Sequence, residues 1–316
     1  MRSAIFVWLV AELLAMGTAF AQLFPSRPIT LIVPFAPGGG GDITARLLTQ
    51  QMKDKMVVEN RPGAGGIAAT QFVAKANPDG HTLLLLSNVN AIGVSLFRSL
   101  PYDVLGDFIP IAVIATSDVA VIVGRDAGLQ SIADLLREAR ARPAKLTLGI
   151  GLIGTTQHLS AELFKARAGI DVAIVPFKSV GNLMTALTAG QIDAGFELVP
   201  AVIGQLKGGQ LRALAVGSNR RFADLPEVPT VAESGVRNYE ATSWAQVAAP
   251  KGTPAAVIDY LSREIQHTLA QPEIRKRYQD LGLSAVGGTP LEARELLARE
   301  VKKWGEAIST AGIERQ

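Results

Sequence analysis

Residues 29–48 read ITLIVPFAPGGGGDITARLL. The first seven are mostly apolar and β-branched, and they read as a buried strand. The run gives out at Pro34-Phe35-Ala36-Pro37, four glycines follow, and residues 42–53 predict a helix with Ile43, Leu47, Leu48 and Met52 on one face. Strand, glycine loop and helix are the parts of an anion cradle. Glycines leave backbone N–H groups uncovered, and a helix N-terminus carries partial positive charge.

Three ligands compete for such a junction. A nucleotide P-loop needs Gly-Lys-Ser/Thr after the glycines, so that a lysine reaches the phosphates; here Asp42 follows and would oppose them. A dinucleotide loop needs a third glycine where helix packs on strand, and Ile43 or Thr44 stands there instead, although Glu59 sits about where a ribose-binding acid would. A small anion or carboxylate meets neither objection. The plain alternative is a turn in which glycine supplies positive φ and nothing binds.

Working outward, 55–60 (KMVVEN) reads as a strand, 67–76 as a helix and 81–87 as an apolar strand, a βαβαβ series that implies a parallel sheet with helices on both faces. IPIAVIAT (109–116) and VAVIVG (119–124) read as two further strands. A second α/β unit begins with a helix capped by Ser131 and stopped by Pro143. Residues 149–156 then repeat the strand–glycine loop–helix device, and Gly169 ends its helix. The C-terminal part reads as helical. One helix has Thr253 as N-cap, Pro254 at its first position and Ile258, Leu261, Ile265 and Leu269 inward. The other has a Thr289–Glu292 capping box with Leu296, Leu297, Val301 and Trp304 inward.

The 316 residues suffice for two domains, and 48% hydrophobic with 19% charged residues describes a globular chain. Net charge is +3, no Lys/Arg block occurs, and aromatics are 6%, so nucleic acid is not an expected partner. With no cysteine and three scattered histidines, neither thiolate chemistry nor a histidine-built metal site is expected. At the N-terminus, Arg2, an apolar run and Ala-Phe-Ala before Gln22 predict a signal peptide over residues 1–21, with a membrane anchor as the alternative.

Ten segments in fixed order then carry a resemblance: PSRPITLIVPFAPGGGGD, VVENRPGAGG, ANPDGHTLLL, LPYD, GTTQHLSAELF, VPFKS, AGQIDAGF, LRALAVGS, LPEVPTVAESG and APKGTPAAVID. Together, from about residue 24 to 313, they resemble the substrate-binding proteins of tripartite tricarboxylate transporters, the Bug family. The resemblance implies a two-domain α/β fold of the type II periplasmic-binding-protein kind, a flytrap with each domain a mostly parallel sheet flanked by helices. Residues 22–122 with 241–316 would form one domain and 123–240 the other. It implies a periplasmic monomer that takes a small carboxylate between two loops and hands it to a permease of one large and one small integral subunit, with no cofactor and no metal. Carried over, the first loop is Phe35, Ala36, Pro37, Gly38, Gly39 and Asp42; the second is Gly154, Thr155, Thr156 and His158. Ser87 and Asn88 lie at the C-terminal edge of the sheet, where α/β folds bind ligands. The chain departs from the family at Gly41, where Thr is common, at the Thr155-Thr156-Gln157 run in place of serines, and at Glu197, where Asp is common.

Other residues stay open between two roles. His158 binds ligand or makes a structural hydrogen bond. Lys178 pairs a second carboxylate or is solvated. Glu197 meets an amino or hydroxyl group of the ligand or is a loop charge, and Trp244 is expected to pack in the core. No Gly-x-Ser-x-Gly elbow marks a nucleophile. An exported sensor that drives no uptake, or a nucleotide-cofactor enzyme, is the rival reading.

Overall fold

The computed structural model describes residues 24–316 except 53, 54 and 152; the expected signal peptide lies outside the described residues. In chain order the first elements are β1 (Ile29–Val33), α1 (Gly40–Gln51), β2 (Met56–Asn60), α2 (Ile67–Ala74), β3 (Thr82–Ser87) and α3 (Asn88–Leu96). Next come β4 (Phe108–Gly124), α4 (Ile132–Ala141), β5 (Thr147–Ile150), α5 (Thr156–Ala168), β6 (Ala173–Pro176), α6 (Val180–Thr188), β7 (Ala194–Leu198), α7 (Val199–Lys207) and β8 (Leu211–Val216). The chain closes with β9 (Thr242–Pro250), α8 (Ala255–Ala270), α9 (Pro272–Asp280), β10 (Ser284–Gly287) and α10 (Pro290–Thr310).

The two strands expected over 109–124 are one strand of 17 residues, β4. Its partners change midway. Phe108–Asp118 pairs antiparallel with β9, and from Val119 onward β4 pairs with β7 and β8. One strand thus serves two ladders, β2-β1-β3-β9-β4 on one side and β4-β7-β5-β6 on the other. Only the three-strand groups β2-β1-β3 and β6-β5-β7 are parallel, so the sheet is mixed. The antiparallel pairs are β3–β9, β9–β4, β4–β10, β4–β7 and β4–β8.

Helix faces follow the expected periodicities with two corrections. Ile258, Leu261, Ile265 and Leu269 are all buried, as are Leu297 and Trp304. Ile43 is 38% exposed, because Ala45, Leu48 and the small Thr44 and Thr49 take the inner face of α1. Thr253 does not cap α8: its hydroxyl donates to the Pro250 carbonyl at 2.8 Å, and the helix begins after Pro254. The capping box at α10 forms as expected, with Glu292 N–H on Thr289 Oγ1 at 3.2 Å and Thr289 N–H on Glu292 Oε2 at 2.7 Å. Trp304 of α10 packs in one cluster with Leu96, Phe164, Phe196 and Tyr239, so one of the apolar clusters joins elements from both sides of the sheet.

Candidate functional site

β1 delivers the first glycine loop to the C-terminal edge of the parallel strands. Gly38 adopts φ +79°, a conformation that L side chains rarely take. Its N–H donates to Asp42 Oδ2 at 2.8 Å, four residues on and in the first turn of α1. Arg46 Nε donates to the same oxygen at 3.0 Å, and Asn60 Nδ2 reaches Oδ1 at 2.7 Å and the Phe35 carbonyl at 3.0 Å. Asp42 is buried, and burial alone would raise its pKa; the bonds from Arg46, Gly38 and Asn60 outweigh that and hold it below the usual carboxylate range. The carboxylate therefore braces the loop. The N-cap, Gly39, offers no side-chain acceptor, so α1 begins without a side-chain cap. Ala36, Pro37 and Gly38 are exposed. The Phe35 ring lies on Gly41: a Cβ there would stand 2.3 Å from Phe35 Cδ2, so any side chain at position 41 requires the ring to move.

β5 delivers the second loop in the same way. Gly154, at φ +82°, donates its N–H to His158 Nδ1 at 3.2 Å, again four residues on and in the first turn of the helix, α5. Thr155 is the N-cap and accepts from His158 N–H. A ring nitrogen that accepts is unprotonated, so His158 is neutral with its proton on Nε2. Burial pushes its pKa down. Thr156 is buried, and its carbonyl accepts from Ser160 Oγ at 2.6 Å. Beside this loop, Glu197 ends β7 with Oε1 accepting from Gln157 Nε2 at 2.6 Å and from Leu198 N–H at 2.8 Å. The loop also abuts the end of α3, since a Cβ on Gly154 would sit 2.8 Å from Leu96 Cδ2.

The remaining expected residues divide. The Asn88 amide is spent on β9, donating to Thr242 O at 2.8 Å and accepting from Trp244 N–H at 3.1 Å. Ser87 N–H is held by Asn90 Oδ1 at 3.0 Å, in the capping box that opens α3. Lys178 is exposed at the end of β6 and makes no ion pair among the described residues. Trp244 is buried, as expected. Glu59 pairs with Arg61 at 2.6 Å. A cavity of about 800 Å³ lies elsewhere, along the β8 edge beside Ser131, Lys207, Arg212 and Glu227. None of the expected ligand-binding residues lines it.

The family model that describes the tripartite tricarboxylate transporter family receptor, TctC, matches residues 43–313. The chain belongs to the TctC receptor family. BugT of Bordetella pertussis is 36% identical to this receptor over 298 residues, 92% of this chain and 91% of BugT. Among solved structures, Rpa4515 of R. palustris with adipate superposes with a TM-score of 0.81 at 33% identity, covering 93% of the receptor and 100% of that chain. MatC from Rhodopseudomonas palustris, with bound malate, gives 0.76 at 28% identity over 90% and 100%. The receptor thus shares the two-domain α/β fold of proteins solved with carboxylates.

Sequence reasoning missed the braces of this receptor's loops. Arg46 had a signal, standing four residues from Asp42 on one helix. Asn60 had a weaker one, ending the strand next to β1 in register with Val33. Gln157 had none, because its partner Glu197 is 40 residues away.

Proposed function

We propose that the receptor captures a small carboxylate between its two glycine loops in the periplasm and delivers it to a membrane permease of large and small integral subunits. One observation carries this reading. Two helix N-termini, on two ladders, are each preceded by a glycine at positive φ whose N–H is anchored to the helix's own first turn. Each anchor rigidifies its loop and leaves the helix's leading amides for an anion. The adipate and malate in related structures fit the same chemistry.

The lobes are residues 22–122 with 241–316, and 123–240. They hinge near the switch of β4 at Asp118/Val119, where Gly217 N–H donates to Val119 O at 2.7 Å and Ala241 N–H to Gly217 O at 2.9 Å. Closure over the anion excludes water and strengthens its charge-assisted hydrogen bonds. Ligand shifts the open–closed balance by the contacts that it makes only in the closed form. The protein works as a monomer without cofactor and performs no chemistry on its ligand.

Thermal unfolding against a panel of carboxylates, with NAD and ATP as controls, tests the reading. A ligand at 100 times its Kd stabilises by roughly 2.7 kcal/mol, a shift of about 5–10 °C. A shift with carboxylates and none with nucleotides is expected; a shift with nucleotides alone overturns it.

A further inference from the structure

Glu197 is 1% exposed and ends β7 in register with Ala120 of β4. Both donors that reach it converge on Oε1, while Oε2 is buried without a partner. That oxygen lies 3.9 Å from where a Cβ on Gly151 would stand, on the side of the second loop. An ionised carboxylate shares its charge between two oxygens and needs donors at both. A neutral carboxyl would leave its hydroxyl on Oε2 without an acceptor, but a buried unpaired hydroxyl costs less than a buried charge that lacks donors at one oxygen, and this difference favours the neutral form.

The surroundings agree. Neighbouring β4 presents Val119, Ala120 and Val121, and beyond them Asp118 is hydrogen-bonded to Ser218 with Arg220 nearby. β5 and the start of α7, the elements next to β7 in sheet and chain, carry no ionisable residue at Leu148, Gly149, Ile150, Val199 or Pro200. On α5, His158 faces Gly154, with its Nε2 3.9 Å from Glu162, and Lys165 acts on Glu162. Among the described residues, the groups that act on Glu197 are Leu198 and Gln157, neither of them a cation. Burial raises its pKa, partly offset by the bonds from Leu198 and Gln157.

We propose that Glu197 is a proton-carrying positioning residue of the second loop: it holds Gln157 and the loop as a neutral acid, and a carboxylate is captured together with that proton. The inference rests on the carboxylate-receptor reading above. An ionised Glu197 would set a buried negative charge beside the amides that receive the anion. Bound anion therefore raises the Glu197 pKa further, and the complex holds more protons than the empty protein. Affinity is full below the empty-state pKa and declines as pH rises through it, by at most about tenfold per pH unit.

Isothermal titration of adipate, malate and the panel acid with the largest unfolding shift, in buffers of differing ionisation heat from about pH 5 to about pH 8, reads this linkage. For the wild type, proton uptake on binding is expected at pH above the empty-state pKa of Glu197 and none below it, with affinity falling only in the upper part of the range. In Glu197→Gln, whose amide still accepts at one end and donates at the other, uptake vanishes and the affinity profile flattens. Binding in the wild type without proton uptake at any pH of the range overturns the inference. Equal uptake in Glu197→Gln also overturns it and transfers the proton to another group such as His158. Failure of every carboxylate to bind at any pH overturns the receptor reading itself, and this inference with it.

Discussion

The two glycine loops share one backbone device and differ in the charge of what holds it. In each, a glycine at positive φ just before the N-cap gives its N–H to a side chain four residues on: Gly38 to Asp42, Gly154 to His158. At the first loop the acceptor is an ionised carboxylate backed by Arg46 and Asn60. At the second it is a neutral imidazole, with the Glu197 carboxyl alongside. A charged brace brings strong hydrogen bonds but needs a cation beside it; a neutral brace adds no charge of its own to the site that an anion enters.

The largest expected effect falls on the charged brace. Asp42→Ala leaves the Gly38 N–H, Asn60 and Arg46 without their shared acceptor, and should cost about 2–3 kcal/mol in urea unfolding. His158→Ala should cost only about 1 kcal/mol, the worth of a neutral hydrogen bond. Equal losses would break the comparison.

The second turn positions differ as well. Gly41 lies under Phe35, whereas its counterpart Gln157 carries a long side chain to Glu197. Gly41→Thr should destabilise by about 1–2 kcal/mol through overpacking, and Phe35→Ala in the same chain should relieve part of it. A double-mutant cycle with no coupling would show that the ring is not the obstacle.

The pH dependence is the smallest and sharpest test. The folded-state pKa of His158 is depressed below 6.5, so the unfolded chain binds more protons just under that value. Stability therefore falls as pH drops from about 6.5 toward the depressed pKa. Asp42 is also depressed, from 3.8, so its share persists above that value and is lost only as pH falls through its folded pKa. Unfolding scans should show the upper window vanish in His158→Gln while the lower one stays. Loss of both would mean that the loops do not titrate independently.

Much of this was legible in the chain. The apolar run before the glycines, the repeat of the device at 149–156, the Ser131 cap and the Thr289–Glu292 box all took their expected places, because short-range spacing fixes them. The helix over Asn88–Leu96 and the strands β9 and β10 carried no comparable periodic signal. Asn88 is instructive: it stands at the right edge for a ligand, yet its amide is spent on a strand 154 residues away.

By itself, then, the sequence determined the family, the α/β alternation and the two loops, since each is written in contiguous residues whose local conformation glycines and caps dictate. Only the tertiary structure decided which side chains hold those loops, that β4 is one strand shared by two ladders, and that Glu197 keeps an oxygen unpaired. Those features depend on burial and on partners distant in sequence, and a buried group's charge is set by what surrounds it, not by its neighbours along the chain.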